Sequence, residues 1–186
     1  MTDFNLYDET NAPEAARPVL ATAKSAFGFV PNLLGTLSES PAAAEAYLTL
    51  AGIVDKTSLS PAERQIVLLS VSYENTCHYC MAAHSTLAGG AGVDAATLTA
   101  LRNGAPLPDA RQEALARFTR TLVRERGYAS DAEIKAFLDA GYTKANIFDV
   151  ITATALKTIS NYANHIAETP VDAPFQAQTW AKPAAA

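Results

Sequence analysis

The recurring unit of this chain is a capping residue, a run of helix formers and a glycine stop, with no alternating strand pattern between repeats of it. Ser60-Pro61-Ala62-Glu63 puts a capping serine before a proline at the first helical position, with glutamate at the third. That arrangement satisfies orphan amides at a helix start, and the proline needs no amide donor there. It heads Arg64 to Val71, which is apolar nearly all round and therefore belongs at the centre of the fold. The same signals predict a helix from Asn11, with Glu14 as capping partner, to the stop at Gly28. A turn over Phe27 to Leu34 then leads into a short helix, and Ser40-Pro41 opens another to about Asp55.

Beyond the central helix a break is expected near Asn75-Thr76, followed by a helix from about Cys77 to Ala88. Asp94 to Asn103, Asp109 to Arg126 and Ser130 to Ala140 each run up to a glycine. The last long helix spans Thr143 to about Ala167, with Ile147, Val150, Ile151, Thr154, Ala155, Thr158 and Ile159 as its apolar stripe. Alanine, the strongest helix former, fills 38 of 186 positions. The fold class is all-α: a bundle of about eight helices in a single domain over residues 1–186. Within it, 1–56 form an N-terminal helical arm, 57–168 the core and 169–186 a C-terminal arm. Phe175 and Trp180 would dock that last arm on a neighbouring subunit.

Charge and composition narrow the function. Lys plus Arg number 14 against 19 Asp plus Glu, a net charge of −5, so no nucleic-acid partner is expected. Apolar residues make up 49% and charged ones 18%, below the roughly 25% usual for charge, which favours a homo-oligomer with greasy helix faces between subunits. No run approaches the ~18 apolar residues of a membrane span. Met1-Thr2-Asp3-Phe4-Asn5 lacks the basic-then-apolar pattern of a secretory leader, so the expected compartment is cytoplasmic.

Both cysteines of the chain lie in Glu74-Asn75-Thr76-Cys77-His78-Tyr79-Cys80-Met81-Ala82-Ala83-His84. In a reducing compartment such a pair reads as redox-active or metal-binding. On a helix Cys77, Cys80 and His84 fall within about 60° of one another. A helix start and a protonated imidazole each lower a thiol pKa, so the pattern suits a dithiol in which one sulfur attacks and the other resolves. Two buried structural cysteines, or a zinc site drawing a fourth ligand from Glu74, His78 or His165, remain open on these residues alone. Haem attachment is excluded because Met81, not histidine, follows the second cysteine, and a thioredoxin-type fold lacks its βαβ context.

The run from Leu59-Ser60-Pro61-Ala62-Glu63-Arg64 through Cys77-x-x-Cys80-x-x-x-His84-Ser85 resembles the carboxymuconolactone decarboxylase superfamily, in its alkylhydroperoxidase D-like (AhpD-like), peroxidase-related branch. The resemblance covers about Ser58 to Gly104 and extends to Phe27-Gly28-Phe29-Val30-Pro31-Asn32-Leu33. It implies an AhpD-like helical bundle, trimers or hexamers, and thiol-dependent reduction of a small hydroperoxide by an external dithiol, without a cofactor. It also implies that Cys80 attacks peroxide, Cys77 resolves and His84 relays a proton. The lactone decarboxylase branch typically lacks both cysteines, which speaks against lyase chemistry.

The family's glutamate, twelve residues before the first cysteine, falls on Gln65, whose amide orients water but accepts no proton at neutral pH. Glu74 is the candidate replacement, one turn before Cys77. Glu63 reads as the capping partner of Ser60, His78 as a surface residue, Tyr79 as packing, and His165 as a cation suited to the end of its helix.

Overall fold

The computed structural model describes residues 4–184, so the readings for residues 1–3 and 185–186 lie outside the described residues. Nine α-helices and two short 3-10 segments make up the regular structure among the described residues, and no strand occurs there. In chain order the helices are α1 (Arg17–Phe27), α2 (Asn32–Leu37), α3 (Pro41–Val54), α4 (Pro61–Glu74), α5 (His78–Ala88), α6 (Ala95–Asn103), α7 (Ala110–Arg124), α8 (Asp131–Asp139) and α9 (Lys144–Ala167).

The central position expected for the Arg64–Val71 run is found. Helix α4 packs against α5, α6, α7 and α9. Its start is the expected capping box: Ser60 Oγ accepts from the Glu63 amide while the Glu63 carboxylate accepts from the Ser60 amide. Glu63 Oε1 also takes the Tyr142 hydroxyl at 3.0 Å and pairs with Arg111, so this carboxylate is structural. Burial weighs against its ionised form, but hydrogen bonds from Ser60 and Tyr142 and the Arg111 charge hold its pKa below the usual value.

The chain start departs from expectation. Asn11 and Glu14 form no capping box; Asp8 Oδ1 instead accepts the amides of Thr10 and Asn11 at 2.7 and 3.2 Å. A 3-10 turn over Glu14–Ala16 follows, and α1 begins only at Arg17. The cause is local competition: a short aspartate closes its own turn, and Pro18 resets the helix start because it needs no donor in the first turn. Helix α7 likewise ends at Arg124, two residues before the expected point. Arg126 and Gly127 adopt positive φ (53° and 90°), and the Gly127 amide closes on Leu122 O at 2.9 Å.

The face of α9 is the largest correction. Its buried residues include Val150, Ala153, Leu156, Lys157, Ser160, Asn161 and Asn164. Of the expected stripe only Val150 is buried, while Ile151 is 45% exposed. The inward face turns polar over its second half, so a reading by hydrophobic periodicity settled on the wrong side. Phe148, Ile151, Tyr162 and Ile166 lie on the outside, beside a groove of about 420 Å³ bordered by Leu122 and Val123 of α7.

The C-terminal arm is also corrected. Phe175 and Trp180 are buried against their own chain, not held out for a neighbour. The Trp180 indole donates to Arg102 O at 2.8 Å, and Phe175 meets Phe29 and Tyr79 edge-on. The 3-10 segment Ala173–Gln178 packs on α5, while α2 and α3 pack on α9. These contacts build a second apolar cluster, in which Cys77 and Cys80 sit with Leu20, Leu33, Leu34 and Phe175.

Candidate active site

The expected break falls between α4 and α5. Asn75 caps α4, Thr76 takes a left-handed conformation (φ 57°), and the Cys77 amide returns to Ser72 O at 2.9 Å. Cys77 is therefore the extended N-cap residue of α5, not its first helical residue. The sharp turn sends α5 inward. Cys77 and Cys80 are 0% and 1% exposed, and both are free thiols. His78 faces outward with Nδ1 2.9 Å from Trp180 O, and His165 is exposed near the end of α9.

The polar face of α9 meets the sulfurs. Asn164 Nδ2 donates to Cys80 Sγ at 3.3 Å and reaches Cys77 Sγ at 3.8 Å. Ser160 Oγ stands 3.7 Å from Cys80 Sγ. Lys157 has no exposed surface at all. A lysine is almost never fully buried without a partner of opposite charge.

Cys80 supplies that partner. Burial raises its thiol pKa, but a hydrogen bond from Cys77, the charge and hydrogen bond of Lys157 and the Ser160 hydroxyl outweigh burial, leaving it well below the ordinary thiol value. Lys157 shows the reciprocal balance. Burial lowers its pKa, yet the negative charge on Cys80, with contributions from Tyr47 and Cys77, holds it above the usual lysine value. The hydrogen bond to Cys80, burial and the neighbouring negative charge all push Cys77 far up. The two sulfurs are thus pushed in opposite directions, Cys80 toward the thiolate and Cys77 toward the thiol.

Both ring nitrogens of His84 are engaged by groups other than the sulfur. Its Nε2 lies 2.9 Å from Lys157 Nζ, and its Nδ1 lies 3.0 Å from Gln65 Oε1. An ammonium only donates, so Nε2 is the bare nitrogen and Nδ1–H donates to the amide oxygen. Burial, and then the Lys157 charge, depress the His84 pKa well below the ordinary value. The expected imidazolium beside Cys80 is thus replaced by a lysine ammonium, and His84 is the neutral acceptor behind it. Gln65 joins this chain as the group that fixes the tautomer. Glu74 does not join it: its carboxylate turns to Arg124, 3.7 Å away.

Sequence patterning alone does not single out Lys157, Ser160 or Asn164. The available signal was a lysine followed by polar residues three, four and seven positions on, all on one helix face. Among the described residues, no cluster of three or more His, Cys, Asp or Glu is placed to hold a metal ion, and no helix is long and apolar enough to cross a membrane. A cavity of about 80 Å³ opens beside Cys80, lined by Phe27, Leu33, Tyr47, Tyr79, Leu87 and Phe175 among others. Tyr79 is more than packing: its hydroxyl donates to Asp172 Oδ2 at 2.5 Å, and Asp172 Oδ1 accepts the Asn32 amide at 2.9 Å.

Residues 41–120 match the model of the carboxymuconolactone decarboxylase family. The whole chain is similar in structure to an uncharacterised peroxidase-related protein with an alkylhydroperoxidase AhpD core from Ralstonia eutropha JMP134 (TM-score 0.80, 21% identity, 94% of this chain and 96% of that one). It is also similar to an uncharacterised peroxidase-related protein from Silicibacter sp. TM1040 (TM-score 0.79, 21% identity, 95% and 96%). A third likeness is to a cysteine-to-alanine variant of the debrominase Bmp8 in complex with 2,3,4-tribromopyrrole (TM-score 0.76, 18% identity, 96% and 96%). No curated protein matches the chain by sequence.

Proposed function

We propose that this chain, whose residues 41–120 match the carboxymuconolactone decarboxylase family model and whose fold is like that of AhpD-core structures, is a dithiol-dependent hydroperoxide reductase in which Cys80 attacks, Cys77 resolves and Lys157 supplies the proton. The observation that carries this reading is a fully buried Lys157 that lines the same small apolar cavity as Cys80 and lowers its pKa, with Cys77 three residues away.

The Cys80 thiolate attacks the distal oxygen of a hydroperoxide. The O–O bond breaks, the sulfur becomes a sulfenic acid, and the departing alkoxide takes a proton from the Lys157 ammonium. His84 and Gln65 hold that ammonium in line through the Nε2 contact. Cys77 then condenses with the sulfenic acid to give a disulfide and water. An external dithiol reopens the disulfide, and the proton released returns to Lys157. A cavity of about 80 Å³ with aromatic and aliphatic walls favours a compact organic hydroperoxide over a bulky lipid one.

The test is hydroperoxide consumption with a dithiol for wild type and Cys80→Ser. Loss of activity in the variant supports the assignment, and equal rates sink it. Turnover of a lactone that survives loss of both thiols points instead to lyase chemistry.

The aromatic lining of Phe27, Tyr47, Tyr79 and Phe175 favours a second reading, reductive dehalogenation of a flat ring. There the thiolate takes the halogen as a sulfenyl halide, Lys157 protonates the ring carbon, and Cys77 expels halide as the disulfide forms. Release of bromide from 2,3,4-tribromopyrrole, set against hydroperoxide turnover, separates the two.

A further inference from the structure

The two sulfurs face different openings. Cys80 borders the apolar cavity of about 80 Å³, whereas Cys77 borders a polar cleft of about 480 Å³ at the start of α5. The cleft is lined by Asn75, Thr76, His78, Asn164, Glu168 and Thr169 among others. Two of its side chains carry buried polar atoms with no hydrogen-bond partner: Asn164 Oδ1 and Thr169 Oγ1. Those residues are only 6% and 8% exposed, and the Thr169 amide donates to Asn164 O at 3.3 Å, which keeps them side by side. A buried polar group without a partner costs stability unless water or a ligand completes it. No side chain caps α5 on this side either.

We infer that this cleft is the docking site of the reductant, and that it selects a dithiol carrying a hydroxyl or amide group, which Asn164 Oδ1 and Thr169 Oγ1 receive while the thiolate attacks Cys77. This rests on the dithiol-dependent reading above. Polarity separates the two openings, because the cleft at Cys77 is lined by Asn75, Thr76, Asn164 and Thr169 whereas aromatic and aliphatic side chains line most of the cavity at Cys80. Leaving-group chemistry agrees, since the sulfur with the lower pKa departs more readily, and that sulfur is Cys80.

In the first step the reductant's thiolate bonds to Cys77 Sγ as the Cys77–Cys80 bond breaks, and the electron pair leaves on Cys80 Sγ. The reductant's second sulfur then displaces Cys77 from the mixed disulfide and passes its proton to the departing Cys77 sulfur. The reductant leaves as a cyclic disulfide, oxidised by two electrons. Cys77 is again a thiol and Cys80 a thiolate. Asn164 is suited to this role because its Nδ2 already faces both sulfurs, leaving Oδ1 for the incoming group.

The experiment compares dithiothreitol with butane-1,4-dithiol, which has the same carbon chain without the two hydroxyls. The Cys77–Cys80 disulfide is prepared with diamide, so the comparison stands whether or not hydroperoxide is the substrate. Return of free thiols is followed at matched thiolate concentration. Dithiothreitol should reduce the wild-type protein about threefold to tenfold faster, the worth of a typical hydrogen bond. In Thr169→Val that ratio should fall toward one. Equal rates in wild type, or a ratio unchanged in Thr169→Val, overturn the inference. Failure of hydroperoxide to oxidise the thiols overturns only the reading of the substrate.

Discussion

Lys157 Nζ stands 2.9 Å from His84 Nε2, and the lysine has no exposed surface. This single contact fixes the roles of both residues. It makes the imidazole an acceptor, and it leaves the ammonium as the cation that faces Cys80. Desolvating a charge is expensive, and a lysine remains ionised in an interior only where an anion compensates it. The negative charge on Cys80 and the positive charge on Lys157 therefore favour each other.

Replacing Lys157 with methionine removes the cation while keeping the packing volume. The Cys80 titration, followed by thiolate ultraviolet absorbance, should move upward by at least about one unit, and hydroperoxide turnover near neutral pH should fall about tenfold or more. An unchanged titration would assign the lowered thiol pKa to the hydrogen bonds from Cys77 and Ser160 alone.

Stability should fall on acidification because of His84. Its folded pKa is depressed, so below about pH 6.5 the unfolded chain binds a proton that the folded chain refuses. Unfolding free energy then drops with falling pH, by up to about 1.4 kcal/mol per unit from this group, until the folded pKa is reached. Urea unfolding at about pH 7 and about pH 5.5 measures it. His84→Gln should lose less stability between the two than wild type.

Gln65→Glu and Glu74→Gln should behave oppositely. A carboxylate at position 65 would accept from His84 Nδ1–H, favour the imidazolium and raise the His84 pKa by about one unit or more, readable by imidazole nitrogen NMR. Glu74→Gln should leave hydroperoxide turnover within about twofold, because its carboxylate faces Arg124. A large loss of turnover would return Glu74 to the site.

The outer face of α9 is proposed as a contact between copies of this chain. Phe148 and Ile166 are 68% and 71% exposed, and they flank Ile151 and Tyr162 along one side of the helix. Contiguous apolar surface of this kind marks an interface. Light scattering should report an oligomer for wild type and a lower mass for the Phe148→Glu, Ile166→Glu double variant. A monomeric wild type would leave this face without that role.

Helix boundaries and the central place of α4 were legible because caps and glycines act locally. Ser60, Pro61 and Glu63 carry their meaning within one turn. The CxxCxxxH run was legible as a reactive pattern for the same reason, since three side chains on one helix need no tertiary information. What could not be read was whatever α9 contributes from seventy to ninety residues away. Lys157, Ser160 and Asn164 look like a solvent face, because polar residues at helical spacing normally are one. Only the packing of α9 against α4 and α5 turns that face inward. Glu74 failed in the reverse way: near Cys77 in sequence, it is carried to the other side by the left-handed turn at Thr76.

Asp172 ties together three distant parts of the chain: the amide of Asn32, the hydroxyl of Tyr79 and the arm that carries Phe175. During translation that clasp is added well after both cysteines, since Asp172 follows Cys80 along the chain. A nascent polypeptide therefore holds its cysteines before it holds the wall that encloses them. The reactive sulfur acquires its finished surroundings only once Asp172 and Phe175 have been added, and a chain cut short before them should carry ordinary, unselective thiols.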